Sequence, residues 1–406
     1  MLLNRIKNNI VLLIIGNLLN AAYLWSVTSI LARKFDISLL GQYTLSLSII
    51  TPIFCFVYFG FRILLVTDTK KELDIYHLLN LKNLLTAFFV LIAVIVYFMI
   101  YKKEVDESVF YFVLLYKLID SYYDFFIGIN HRNDNIRKHG IILIVRSIAL
   151  IVIFVIGTYF FSSYELSFAM VLITSIFILY FFELKKFPFM LVFRNKIDKK
   201  ETIKVFKISF PIVSSAFVNS LLVNVPNYYI SYFYNSREVG YYAVFYSFNV
   251  LLNVVIISLG QYYLRGISKD YNENNFNKIK KLVKFFTICL IGVSIIAFLG
   301  SLVLGDFILE LLFGVNALHY STLFPYLFLF SFPIYLGQIL SYVVTGVNQL
   351  SSLLVASSLS LTSSIVFGYI FISKHPIWGA FVTLLIVGSI QTIVFLFYFY
   401  RSFKKL

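Results

Sequence analysis

Apolar runs of about 20 residues recur along the whole chain, each long enough as a helix to cross a hydrocarbon core of about 30 Å. Inside a bilayer the backbone polar groups of a segment must be satisfied within it, so a chain built this way can fold only as a bundle of spanning helices. Breaking the runs at charged and turn-forming residues predicts twelve spans, at roughly 10–31, 38–61, 78–100, 108–129, 141–161, 164–183, 205–232, 239–263, 283–304, 321–346, 350–373 and 376–400. Of the 406 residues, 60% are hydrophobic and 13% charged, with a mean hydropathy of +0.88, which leaves no stretch for a separate soluble domain. The chain is therefore expected to be an all-α polytopic membrane protein with about twelve transmembrane helices.

The charge is organised by topology. The net charge of +15 suggests nucleic acid as a partner until its placement is considered, because the basic residues sit in short segments between the apolar runs. An even number of spans puts both termini on one side. Of the 34 Lys and Arg residues, 25 fall on that side, 6 on the other, and Lys82, Lys117 and Arg146 within spans. By the positive-inside rule both ends are expected in the cytoplasm. The first run follows Arg5 and Lys7 and continues past Asn17 and Asn20 to Leu31 without a cleavage pattern, so it reads as a retained first helix. Cys55 and Cys289 both lie in apolar runs, which argues against a disulfide framework or a metal site.

The longest basic loop, ELKKFPFMLVFRNKIDKKETIKVFK at 183–207, falls between the sixth and seventh spans and reads as the joint between two halves. This predicts an N-terminal six-helix lobe over 1–190 and a C-terminal six-helix lobe over 191–406. At an offset of 199, Asn20 meets Asn219, Gly41 meets Gly240, Tyr43 meets Tyr242 and Ser48 meets Ser247. A second echo, IGIN at 127–130 and TGVN at 345–348, closes the fourth helix of each half. Both echoes point to a parallel duplication.

Intramembrane polar residues gather in two places. The fourth span, VFYFVLLYKLIDSYYDFFIGIN at 109–130, carries Lys117, Asp120 and Asp124. At 3.6 residues per turn the three share one stripe, and each costs on the order of 2.5–3.5 kcal/mol at the bilayer centre unless partnered or hydrated. Equal depth in a tight hairpin predicts a pair between Asp124 and Arg146 of the fifth span, with Lys117 and Asp120 nearer the midplane. The stripe then serves either as a substrate or ion site or as paired charge tying helices together. Tyr116, Tyr122 and Tyr123 beside it could face a sugar. His131 and His139 flank the loop that follows and read as solvated. The second place is the seventh span, with Asn219, Asn224, Asn227, Pro211 and Pro226. Proline in a span is expected to break the helix, and broken helices often line transporter cavities.

Several chemistries are absent from the sequence. There is no G-x-x-x-x-G-K-[ST] loop for ATP, no metal-spaced histidine and carboxylate cluster, no G-x-S-x-G elbow, and no long outer loop to house catalysis. The expectation is a chain that is not an enzyme and carries no cofactor.

The opening basic stretch with the first helix, LLGQYTL at 39–45, ISFPIVSSAFVNS at 208–220, EVGYYAV at 238–244 and LLFGVNALHYSTLFPYL at 311–327 carry a resemblance. Over essentially its whole length the chain resembles the polysaccharide flippases of the multidrug/oligosaccharidyl-lipid/polysaccharide exporter superfamily, which handle O-antigen and capsule repeat units. That resemblance implies two six-helix lobes forming a V around a central cationic cavity that works by alternating access. It implies a bacterial plasma (inner) membrane location and an undecaprenyl-pyrophosphate-linked oligosaccharide as substrate, moved from the cytoplasmic to the outer leaflet. Membrane lipids and a polysaccharide polymerase complex would be its partners, with no nucleic acid. The basic residues here that suit a pyrophosphate are Lys117, Arg146, Arg62 and Lys82, with two aspartates beside them. An ion-coupled multidrug or cation antiporter of the same superfamily is the alternative, and would use Asp120 and Asp124 to exchange ions.

Overall fold

The computed structural model describes residues 2–68, 71–133, 135–186, 198–349 and 351–404. Among these residues there is no strand, and twelve long helices stand where the apolar runs predict them. In chain order they are α1 (Leu2–Lys34), α2 (Ile37–Tyr58), α4 (Ile75–Val96, extended by a π-helical turn Tyr97–Tyr101), α5 (Glu107–Arg132), α6 (Ile136–Phe161) and α7 (Tyr164–Phe182). Then come α8 (Lys199–Phe233), α9 (Ser236–Asn272), α10 (Phe276–Phe313), α11 (Phe324–Gly346), α12 (Ser351–Ile372) and α13 (Pro376–Lys404). A short helix, α3 (Phe61–Thr67), follows α2 after a reversal in which Phe59 and Gly60 take φ of 44° and 65°. Side-chain caps start several helices: Asp74 accepts from Tyr76 N, Ser163 from Leu166 N and Asn235 from Glu238 N. Eleven helical stretches among the described residues are long and apolar enough to cross a membrane. The exception is α5, whose 26 residues suffice in length but carry the three charges of the stripe.

The chain forms two compact units, one of residues 1–35 and 42–220, the other of 36–41 and 221–406. The unit boundary at 220 falls within α8. Part of the expected joint at 183–207, residues 187–197, lies outside the described residues. In the first unit α1 packs along α6, α6 along α7, and α3 along α5. A core of Phe59, Phe61, Leu64, Leu65, Leu78, Leu79, Phe125 and Val205 ties α3, α4, α5 and the start of α8 together. In the second unit α13 packs against α11 and α12, and α11 against α9 and α10. Leu340, Val343, Val344, Ala356 and Phe399 fill the seams there.

Both sequence echoes mark places where helices approach too closely for a side chain. In the second unit, a Cβ on Gly41 would run into the Ser236 carbonyl, and a Cβ on Gly240 into the Ile37 carbonyl. The two contacts exchange at the offset of 199, since Ile37 corresponds to Ser236 just as Gly41 corresponds to Gly240. The Ser38 and Ser236 hydroxyls lie 3.3 Å apart beside them. Near the ends of α5 and α11, Gly128 and Gly346 play equivalent parts. A Cβ on Gly128 would meet Arg62 Cα and Leu65 of α3, and one on Gly346 would meet Ile267 at the end of α9.

Candidate substrate site on α5

The stripe on α5 is held by three neighbouring elements of the first unit. Gly128 lets α3 lie directly on α5, one turn beyond Asp124, and this close approach delivers Arg62 to that carboxylate. Arg62 Nη1 stands 3.3 Å from Asp124 Oδ1, with both side chains partly exposed. One turn earlier, Arg146 of α6 donates from Nη1 to Asp120 Oδ1 at 2.9 Å, and the Tyr58 hydroxyl of α2 donates to Asp120 Oδ2 at 2.8 Å. Asp120 is therefore engaged at both oxygens. Arg146 is 4% exposed and its guanidinium carbon lies 4.1 Å from the Tyr123 ring centroid and 5.6 Å from that of Tyr116. Those rings give a desolvated cation the π faces it favours.

A fourth cation belongs to the network. Lys82 of α4 is fully buried, its ammonium donating to Ser121 Oγ at 3.2 Å and to the Val57 carbonyl at 3.5 Å, and lying 4.9 Å from the Tyr122 ring centroid. Tyr122 is fixed in turn by a 2.7 Å hydrogen bond to Asn83 Oδ1. Lys117, half-buried and one turn from Asp120, makes no hydrogen bond or ion pair among the described residues. Next to the network a cavity of about 580 Å³ opens, lined by Cys55, Tyr58, Arg62, Asp124 and His131 together with Ile212 and Ala216 of α8.

The expected Asp124–Arg146 pair does not form. Arg146 takes Asp120, and Asp124 takes Arg62. Arg146 stands ten residues into α6 while Asp124 and Asp120 stand eight and twelve residues before the end of α5, so at 1.5 Å per residue it lies within about 3 Å of the depth of either carboxylate, and Arg62 of α3 occupies Asp124. Tyr116 and Tyr123 are buried against Arg146, with the Tyr123 hydroxyl donating to the Ser175 carbonyl, so neither presents a face to a ligand. His131 and His139 also differ from expectation: the two rings are bonded at 2.9 Å and His139 is buried. Nor is α8 broken, since it runs as one helix from Lys199 to Phe233 through Pro211 and Pro226. One lost backbone bond per proline is tolerated in a spanning helix when neighbouring groups satisfy the freed carbonyl. Of the three asparagines expected to line a site, Asn219 is exposed in the first unit and donates to the Ser215 carbonyl at 3.0 Å. Asn224 and Asn227 belong to the second unit, Asn227 buried.

Two partners were invisible as such in the sequence. Tyr58 is one of 30 tyrosines, with nothing local to mark it, and Arg62, although among the basic residues suited to a pyrophosphate, follows the second span with nothing in the sequence to pair it with Asp124. A buried ion pair at the same end, Arg132 with Asp68 at 2.7 Å, ties the residue that follows α3 to the end of α5. Asp68 also accepts from the backbone of Glu72 and Leu73.

Twelve long helices, one of them carrying a network of partly buried charge, define a polytopic membrane protein whose fold is shared with solved transporters. It is similar to a MATE-family multidrug resistance transporter of the MOP superfamily in an inward-facing conformation, with a TM-score of 0.72 and 14% identity over 96% of this chain and 94% of the other. It is also similar to the lipid II flippase MurJ in an inward closed conformation, with a TM-score of 0.70 and 18% identity over 95% of this chain and 87% of that one. The chain belongs to the polysaccharide biosynthesis protein family, which it matches over residues 6–264. Among curated proteins it is 25% identical to the capsular polysaccharide biosynthesis protein CapF of Staphylococcus aureus, over 96% of this chain and 98% of that one.

Proposed function

We propose that the protein flips undecaprenyl-pyrophosphate-linked oligosaccharide repeat units from the cytoplasmic to the outer leaflet of a bacterial plasma membrane for surface polysaccharide synthesis. The observation that carries this reading is the charge balance of the α5 network. Arg62, Lys82, Lys117 and Arg146 outnumber Asp120 and Asp124, both carboxylates already have an ion-pair partner, and Lys117 makes no hydrogen bond or ion pair among the described residues. A surplus of positive charge at this depth suits a pyrophosphate, whose oxygens form strong charge-assisted bonds. The family membership and the similarity to CapF support the saccharide side of the reading.

In the mechanism, Lys117 engages the headgroup phosphate while Arg146 and Tyr58 hold Asp120 so that it does not compete for Lys117. The lipid tail stays in the bilayer, and the site is exposed alternately to the two faces. Substrate drives that change only as far as it binds one state better than the other. Both termini stand on the cytoplasmic side in this arrangement, with the basic loops, and a polysaccharide polymerase complex receives the flipped unit. Asn219, Asn224 and Asn227 of α8 are further candidates to bind the saccharide or an ion. Engagement of Asp120 at both oxygens weighs against an acidic ion-exchange site, the arrangement an antiporter would need.

The test is deletion of the protein followed by analysis of lipid-linked intermediates, with complementation by Lys117→Ala. Accumulation of intermediates facing the cytoplasm, uncorrected by the variant, is the expected result. Normal surface polymer in the deletion strain would reject flipping, and drug sensitivity without a glycan defect would point to the antiporter.

A further inference from the structure

A second cavity in the first unit stands apart from the α5 stripe. Its volume is about 440 Å³, within the range of small-molecule sites, and it is lined by Asn135, Arg137 and Lys138 at the start of α6, Ile141 one turn on, and Phe181 and Phe182 at the end of α7. Two cations, Arg137 and Lys138, line it, and a third, Lys185, stands beside the lining residue Phe181. Lys138 is committed, bound to Glu183 at 2.6 Å and to Asn130 at 3.2 Å. Arg137 is exposed and makes no hydrogen bond or ion pair among the described residues. The Lys185 ammonium lies 5.3 Å from the Phe181 ring centroid and has no carboxylate partner among them. One wall is therefore basic, while Phe181 and Ile141 make an apolar wall that is 50% and 39% exposed.

Amphipathic lining of this kind, at the basic end of two spanning helices, matches the chemistry of a lipid at the bilayer interface. We propose that this cavity binds the headgroup of an anionic phospholipid, its phosphate between Arg137 and Lys185 and an acyl chain running over Phe181 and Ile141 along the outside of α6 and α7. Charge complementarity selects the occupant: Lys138 is already neutralised by Glu183, so among the described residues two cations without a carboxylate partner remain for one phosphodiester, and a zwitterionic headgroup would bring its own ammonium against them. The site does not depend on the transport reading and survives its failure.

The experiment is native mass spectrometry of the full-length protein released from nanodiscs holding phosphatidylglycerol or phosphatidylcholine, with Arg137→Ala/Lys185→Ala beside wild type. Wild type is expected to retain phosphatidylglycerol in preference, and the double variant to retain it about thirtyfold more weakly, the loss expected for two basic residues at a membrane surface. Arg137→Gln alone, at an exposed position, is expected to give a loss of about fivefold that shrinks as ionic strength rises. Equal retention of both lipids by wild type, or undiminished phosphatidylglycerol on the double variant, would overturn the proposal. So would displacement of phosphatidylglycerol by equimolar undecaprenyl phosphate, which would give the site to the polyprenyl lipid instead.

Discussion

Lys117 stands within a turn of Asp120 and Arg146 is bound to it, yet their neighbours give them different work. Arg146 is buried, stacked on Tyr123 and bound to a carboxylate, so its first role is to neutralise Asp120. Arg146→Ala is expected to cost about 2–3 kcal/mol, less than the full penalty of a broken buried pair because the Asp120 side chain is 34% exposed. Adding Asp120→Asn should recover part of that loss in a double-mutant cycle read by thermal denaturation in detergent, and strict additivity would show the two are uncoupled. Lys117 has no such structural duty. Lys117→Ala is expected to leave the melting temperature near wild type while cutting flipping ten- to hundredfold, as loss of one charge-assisted contact would, with Lys117→Arg restoring most of it. Turnover of lipid-linked intermediates measures this, and a wild-type rate for Lys117→Ala would leave the stripe as structural glue. The stripe itself was legible because three charges in an apolar run must each find a partner, water or a ligand. Its partners were not, because they come from α2, α3 and α6, and sequence distance carries no information on which helices touch.

At the scale of elements, glycines decide how closely the helices meet. Gly128 has no room for a Cβ because the α3 backbone lies on it, and that approach sets Arg62 against Asp124. Gly128→Val is expected to push α3 away, costing roughly 1–3 kcal/mol by overpacking and breaking the Arg62–Asp124 pair. The consequence to measure is a fall in thermal stability together with faster labelling of Cys55, which lines the adjoining cavity. Gly41 and Gly240 meet partner carbonyls even more closely, so Gly41→Ala and Gly240→Ala should each lower the melting temperature, and by similar amounts because their contacts exchange under the repeat. Unequal effects would argue against that equivalence. Both glycine pairs were visible in the sequence as echoes between halves. Their meaning was not, since an echo records that a position is repeated and says nothing of what presses on it. The prolines of α8 ran the other way: proline in a span reads as a break, but a spanning helix tolerates one lost bond per proline and α8 stays continuous.

For the whole molecule, the basic bias makes a topological prediction. Single cysteines placed at Lys102 and Lys374 are expected to react with an impermeant thiol reagent in intact cells, and cysteines at Lys200 and Lys280 only after permeabilisation. The opposite pattern would invert the orientation proposed for the termini. The sequence by itself determined that the chain is a bundle of about twelve membrane-spanning helices with one charged helix among them. Hydrophobic length and the cost of buried charge are properties of single segments, and they need no knowledge of neighbours. Only the tertiary structure decided which cation meets which carboxylate, because α3 lies back on α5 at Gly128 and sets Arg62 against Asp124, leaving Asp120 to Arg146. It also decided that Lys117 is the member of the stripe without a hydrogen bond or ion pair among the described residues, since pairing depends on the depth and approach of helices distant in the chain.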